Sequence, residues 1–304
     1  MKSKLTTVLC IGLIPMLFGI AFPADAAPKQ STGVTYNATL LNLPAGSTPN
    51  GINDVGQIVG ETSNQYGFIY EFTKAPTVTL IRDGTANTRA YGINNAGQVV
   101  GENDVGNIAY GFLYNGSNNF TNFSVPSGSP QTVALGINST DQIVGYGEIV
   151  NSNGQLHNEG FIYLGGTVDV LKVPGAADTV AYGINSSGEI VGYADSSGFI
   201  YKNGVYTVIN VPGSTATSLR AINDLGQILG VYLDASNIAH FFIYENGNYD
   251  AITVLLGGQV ILGAGTSGSV TGINKAGQIV GQTNASSCYG CAFVADPVVK
   301  PKKN

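Results

Sequence analysis

The residues able to do chemistry are few and scattered. Glu61 and Glu102 each follow the glycine that closes a Gln-Ile-Val-Gly or Gln-Val-Val-Gly stretch, so they hold equivalent places in two successive copies of one unit. Paired carboxylates are the apparatus of glycoside hydrolysis, one serving as acid and the other as base or nucleophile. The same place in the next copies is taken by Tyr146, Tyr193, Val231 and Gln282, so both acids are expected on the solvated surface. Cys288-Tyr289-Gly290-Cys291 has the spacing of a redox pair or of half a zinc site. A redox pair needs a helix N-terminus to lower one thiol pKa, and a zinc site needs further ligands. Neither is visible, so a structural disulfide between Cys288 and Cys291 is expected. The two histidines, His157 in an expected loop and His240 at the start of a strand, lie too far apart in the chain for a zinc cluster or a Ser-His-Asp triad. His240 is expected to be packed or hydrogen-bonded within the sheet. Asn53-Asp54 and Asn223-Asp224 begin like calcium loops, but Val55 and Leu225 follow at once, and turn chemistry accounts for both pairs. No catalytic residue, metal site or cofactor is expected.

What positions these residues is a repeat. GINDVGQIVG, residues 51–60, returns as GINNAGQVVG from Gly92, GINSTDQIVG from Gly136, GINSSGEIVG from Gly183, AINDLGQILG from Ala221 and GINKAGQIVG from Gly272. The repeat asparagines Asn53, Asn94, Asn138, Asn185, Asn223 and Asn274 are spaced by 41, 44, 47, 38 and 51 residues, about the length of a four-stranded propeller blade. Asn and the Gly three residues later fit the ends of a type I turn between two strands. Asp141 replaces that Gly in the third copy, and Asp tolerates the left-handed backbone well enough to keep the turn.

After each turn comes a run such as Gly67-Phe68-Ile69-Tyr70 or Gly160-Phe161-Ile162-Tyr163. Apolar on both faces, it reads as a middle strand covered by neighbouring blades. A polar fourth strand ending in Pro, as in Thr207 to Pro212, suits an outer edge. Tyr36 to Pro44 reads as another fourth strand, and the last copy stops after its third. The fold expected is therefore all-β: a six-bladed β-propeller of four-stranded blades, its ring closed by an N-terminal strand that completes the C-terminal blade.

The residue before each copy varies most: Asn50, Tyr91, Leu135, Tyr182, Arg220 and Thr271. If the first strand is innermost, Tyr91, Tyr182 and Arg220 stand at the channel mouth, where they can stack on or hydrogen-bond a sugar or peptide.

Residues 1–26 have the form of a signal peptide, with Lys2 and Lys4, an apolar run from Leu5 to Phe22, and Ala24-Asp25-Ala26 as cleavage site. Residues 27–35 form a lead-in, 36–296 the propeller and 297–304 a short basic tail. Without the signal peptide 11 basic and 18 acidic residues remain, net −7. That balance excludes nucleic acid as a natural partner, and no stable membrane insertion is expected after cleavage.

The GIN-x-x-GQIVG units, the first four followed by a Gly-Phe-Ile/Leu-Tyr strand, resemble the probable extracellular repeats of the HAF family, named for a His-Ala-Phe triplet. Here the triplet reads His240-Phe241-Phe242 in the fifth repeat and Cys291-Ala292-Phe293 in the sixth. The resemblance covers residues 36–296 and implies an exported bacterial β-propeller-like protein with no established catalytic residues. The expected function is a secreted, monomeric, non-enzymatic scaffold, extracellular or periplasmic, that presents its loops and channel mouth to an extracellular protein or glycan. The alternatives are a carbohydrate-active hydrolase or lyase and a structural envelope component.

Overall fold

The computed structural model describes residues 29–298 apart from 31–32, 74–75, 85–86, 118, 126–128, 151–152 and 286–287. The expected signal peptide and the lysines of the basic tail lie outside the described residues. Within them every regular element is a strand.

The turn of each repeat forms as its residues dictate. In the second copy Gly97 donates its N–H to the Asn94 carbonyl at 3.1 Å, and the Asn94 side-chain oxygen accepts the N–H groups of Ala96 and Gln98 at 3.1 Å each. Gly97 has φ +81°, and Asp141, its counterpart in the third copy, has φ +63°, the left-handed conformation its residue type tolerates.

Each turn folds two strands into a hairpin, and two more strands follow outward. The first four repeats form separate four-stranded antiparallel sheets; in the second these are Asn87–Ile93, Val99–Val105, Ile108–Tyr114 and Phe120–Phe123. The outermost strands, such as Thr77–Ile81 and Val205–Ile209, are mostly exposed, as edges finished by polar residues should be. His157, expected in a loop, lies instead on Leu156–Leu164, opposite Ile149. The hairpin of the third repeat continues outward past the Phe161 region and carries it into the ladder.

Six separate blades are not what forms. Four repeats are discrete sheets, and the fifth and sixth share one ten-stranded sheet. The cause is the N-terminal strand Val34–Leu40. It pairs antiparallel with the last strand, Cys288–Pro297, with Leu40 opposite Phe293. Its other edge pairs parallel with Asn248–Leu256 of the fifth repeat, with Val34 opposite Ile252. Gln259–Leu262 and Lys29–Gln30 also pair with that long strand. The strands thus run from Lys29 to Pro297, one residue past the expected end, and Lys29, Gln30, Val34 and Thr35 of the expected lead-in are paired.

Between repeats one interface recurs. Val59 shares a core cluster with Phe112, Val100 with Phe161, Val144 with Phe199, Val191 with Phe242, Leu229 with Phe293 and Val280 with Phe68. All six phenylalanines are fully buried. The aliphatic residue before the closing Gly of one repeat is covered by the Phe of the next, and the sixth returns to the first.

The innermost strands are tied by the asparagines. Asn53 Nδ2 donates to the carbonyl of Asn94, Asn94 to Asn138, Asn138 to Asn185, Asn185 to Asn223, Asn223 to Asn274 and Asn274 back to Asn53, at 2.9 to 3.5 Å. All six side chains are buried. A second amide proton reaches the Gln or Glu four residues on, for example Gln98 at 2.6 Å, so both donors are satisfied, as buried amides must be.

Candidate functional site at the channel mouth

The six variable residues are set apart by the ladder itself. Register between the first and second strands skips one residue between Pro49 and Gly51, Ala90 and Gly92, Ala134 and Gly136, Ala181 and Gly183, Leu219 and Ala221, and Val270 and Gly272. The skipped residues are Asn50, Tyr91, Leu135, Tyr182, Arg220 and Thr271. A bulge leaves its extra residue unpaired and re-aims its side chain. Here it turns all six toward one end of the central channel, where they line a cavity of about 440 Å³. The opposite end, lined by the turns, holds only about 80 Å³.

The cavity is lopsided. Besides the six bulge residues it is lined by Val231, Ala239 and Phe241 of the fifth repeat and by residues 268–270 of the sixth. On the inner strand of the fifth repeat stands Ala221, the one non-glycine at the start of the repeated unit. A methyl group at Gly92 would lie 3.1 Å from the Cα of Gly136, and one at Gly136 would lie 3.2 Å from that of Gly183. Those glycines let successive inner strands nearly touch. Ala221 carries a methyl where the other inner strands have glycine, and it packs against the core cluster shared by the fifth and sixth repeats. Val231 adds room, since the equivalent positions in the third and fourth repeats hold tyrosine.

The three residues singled out from sequence come together. The Arg220 guanidinium lies over the Tyr182 ring, 4.3 Å from its centroid, a cation–π contact. The Tyr91 hydroxyl donates to Glu102 Oε1 at 2.9 Å. Burial, and then the nearby Glu102 charge, push its pKa far above the usual phenol range. Burial, with Glu102 again, pushes Tyr146 up to about 12. Two other bulge residues seal seams between repeats: Asn50 donates to the Ala90 carbonyl at 2.9 Å and Thr271 to the Pro49 carbonyl at 2.8 Å.

Glu61 and Glu102 correct the expectation of solvated surface acids. Glu102 is only 4% exposed. Arg89 stands opposite it across the hairpin and binds Glu102 at 2.7 Å, Asp104 at 2.9 Å and Glu61 at 3.4 Å. Gln131 adds a hydrogen bond to Glu102 at 3.2 Å. Burial pulls the Arg89 guanidinium down, but its hydrogen bond to Glu102 and the charges of Glu102 and Asp104 outweigh that and hold it above its ordinary value. Glu61 is pushed up, by burial first and by Glu102, against the lowering effect of Arg89. The two carboxylates therefore do converge, but around one shared guanidinium, and neither lines the mouth cavity. Arg89 was legible in principle: counting outward from the Asn94 turn places it opposite Glu102.

A raised folded pKa means that the native state holds the Glu61 proton more tightly than the unfolded chain does. That contribution to stability is present below the unfolded pKa and is lost as pH rises through the folded one. Glu61→Gln should therefore lose less stability than the parent as pH rises above the ordinary glutamate range in urea titrations. Parallel pH profiles for the two proteins would contradict this account of Glu61.

The remaining candidates are occupied with structure. Cys288 and Cys291 form a disulfide with Cα atoms 5.6 Å apart, presenting Tyr289 between them, 85% exposed. His240 stacks on Tyr232 at 4.8 Å, and its Nε2 meets Asp234 at 2.9 Å. Asp54 accepts the Lys275 N–H and the Asn95 amide at 2.7 and 2.8 Å, and Asp224 accepts the Ser186 N–H and hydroxyl at 2.8 and 2.9 Å. Both aspartates stitch neighbouring turns together outside the asparagine ring.

These features define the class: an all-β propeller of four-stranded blades with a cavity at one mouth of its channel. Solved structures agree on the fold. The chain is similar to virginiamycin B lyase from Staphylococcus aureus (11% identity, TM-score 0.51, covering 88% of this chain and 100% of that one). It is similar to the β-propeller domain of the Trilobed protease from Pyrococcus furiosus (12%, TM-score 0.52, 83% and 79%). It is also similar to YCF48 bound to D1 peptide (9%, TM-score 0.51, 91% and 100%). Identity this low carries the fold alone. No family model and no curated protein sequence matches the chain.

Proposed function

We propose that this protein is an exported, non-enzymatic binding scaffold of the HAF-repeat kind, whose channel mouth receives part of an extracellular protein or glycan. In this reading the ten-stranded sheet is two blades joined edge to edge, which makes a ring of six. One observation carries the proposal: the six residues freed by bulges, which vary from copy to copy within a regular frame, converge on a single cavity of about 440 Å³. That is the size range of small-ligand pockets. The form of residues 1–26 supports export. Propellers of this fold include one solved with a bound peptide.

The test is an array of glycans and secreted proteins probed with the parent and with a Tyr91→Ala, Tyr182→Ala, Arg220→Ala triple variant. Binding by the parent should fall at least tenfold in the variant. Unchanged binding would discard the mouth. A hydrolase or lyase reading draws on Glu61 and Glu102 meeting at Arg89; turnover of an array glycan, abolished by Glu102→Gln, would replace the scaffold reading.

A further inference from the structure

Among the described residues that line the mouth one is a cation, Arg220. Among the described residues no carboxylate pairs with Arg220 and no hydrogen bond leaves its guanidinium; its contact is the Tyr182 ring. Arg89, by contrast, is surrounded by three carboxylates. The buried carboxylate nearest the mouth, Glu102, is already neutralised by Arg89 and hydrogen-bonded by Tyr91. A half-buried arginine presents five N–H donors in a fork that suits a carboxylate.

The surroundings narrow the class of anion. From the bulge ring the cavity runs into the groove between the fifth and sixth repeats, whose walls are Val231, Ala239, Phe241 and Val270. These are apolar, and Phe241 and Val270 are buried. A sugar finds poor platforms here: the guanidinium covers the Tyr182 ring, and the Tyr91 hydroxyl is committed to Glu102. Resting on the reading of the mouth as the binding site, we propose that the cavity takes an apolar carboxylate. The carboxyl group docks on Arg220, and the hydrocarbon body enters the groove beside Val231 and Phe241. A free apolar acid and the C-terminal end of a peptide with an apolar last residue share this chemistry.

The experiment is calorimetric titration of the whole protein with 3-phenylpropionate, its amide, acetyl-Ala-Phe with a free carboxylate, the amide of that dipeptide, and a galacturonic acid trisaccharide as a polar anion. The acids should bind at least tenfold more tightly than their amides and than the trisaccharide. Arg220→Gln should erase the preference of acid over amide. Val231→Tyr, which installs the residue found at the equivalent place in the third and fourth repeats, should weaken both acids by filling the groove. Arg82→Gln, which alters a cation stacked on Tyr66 outside the cavity, should change nothing. Matching melting curves establish that the variants fold. Tighter binding of the dipeptide than of phenylpropionate assigns a peptide end as the source, and the reverse order assigns a free acid. Equal affinity for acid and amide overturns the proposal, as does acid binding indifferent to both Arg220→Gln and Val231→Tyr, or a trisaccharide that binds as well as the apolar acids. A neutral glycan that binds at the mouth and is lost in the triple alanine variant, with no acid binding, leaves the mouth as the site and removes the carboxylate.

Discussion

Deleting residues 33–40 should lower the thermal unfolding midpoint by more than about 10 °C, and adding a peptide of residues 33–43 in trans should restore it in a concentration-dependent way. The strand removed is short, but it is paired on both edges, to Cys288–Pro297 and to Asn248–Leu256. Without it two long strands each expose a row of unpaired backbone groups. Tyr36, only 3% exposed, belongs to the largest core cluster, and burial pushes its hydroxyl pKa far above the ordinary range. Loss of this side chain alone costs about 3–5 kcal/mol by analogy with buried aromatic truncations, and each kcal/mol is worth about 2–4 °C in a domain of this size. A truncated protein that melts at the parental temperature would mean that the ten-stranded sheet does not depend on the strand that joins its halves.

Phe161→Ala should cost about 3–5 kcal/mol in urea denaturation, and Val205→Ala, on an exposed outer edge, close to nothing. Phe161 is fully buried, its ring edge 3.0 Å from where a methyl on Gly145 would stand. It meets Phe123 at 6.2 Å in an edge-to-face contact and reaches Val100 of the preceding repeat. The equivalent substitutions at Phe112 and Phe199 should fall in the same range, because the same interface recurs at each seam. A loss below about 1 kcal/mol would mean that the seam relaxes around the missing ring.

The repeated frame was readable because it is local. The Asn turn, the left-handed Gly or Asp, the alternation around each Phe and the polar outer strand all lie within short windows, and periodicity multiplies the signal. The merging of the fifth and sixth repeats was not readable. It rests on parallel pairing of Val34–Leu40 with a strand more than two hundred residues away, and such pairing leaves no mark in the local pattern. The 51-residue spacing before Asn274 announced extra length without saying that Gln259–Leu262 would fold back as an added strand.

The mouth was partly legible. Variation before each unit pointed to Tyr91, Tyr182 and Arg220, but not to the bulge that turns them inward or to the groove that Val231 helps to line. Val231 was the available signal, a small aliphatic residue at the place where the third and fourth repeats carry tyrosine. Asparagine in every copy was another. A turn alone accepts Asp or Ser as its cap, and only an amide carries the second donor that the ring uses.

The bulge also separates two kinds of change. A residue outside the ladder has no backbone partner across the sheet, so at Leu135, Tyr182 and Arg220 a substitution changes what the mouth offers without disturbing the pairing beneath it, whereas Tyr91 is tied to the buried Glu102. Asn50 and Thr271 are less free, because their side chains hold the carbonyls of the next inner strand. The molecule thus carries a short interchangeable inscription on a fixed plate: a chain that keeps the asparagines, phenylalanines and glycines can alter the chemistry of its mouth one letter at a time and keep its shape.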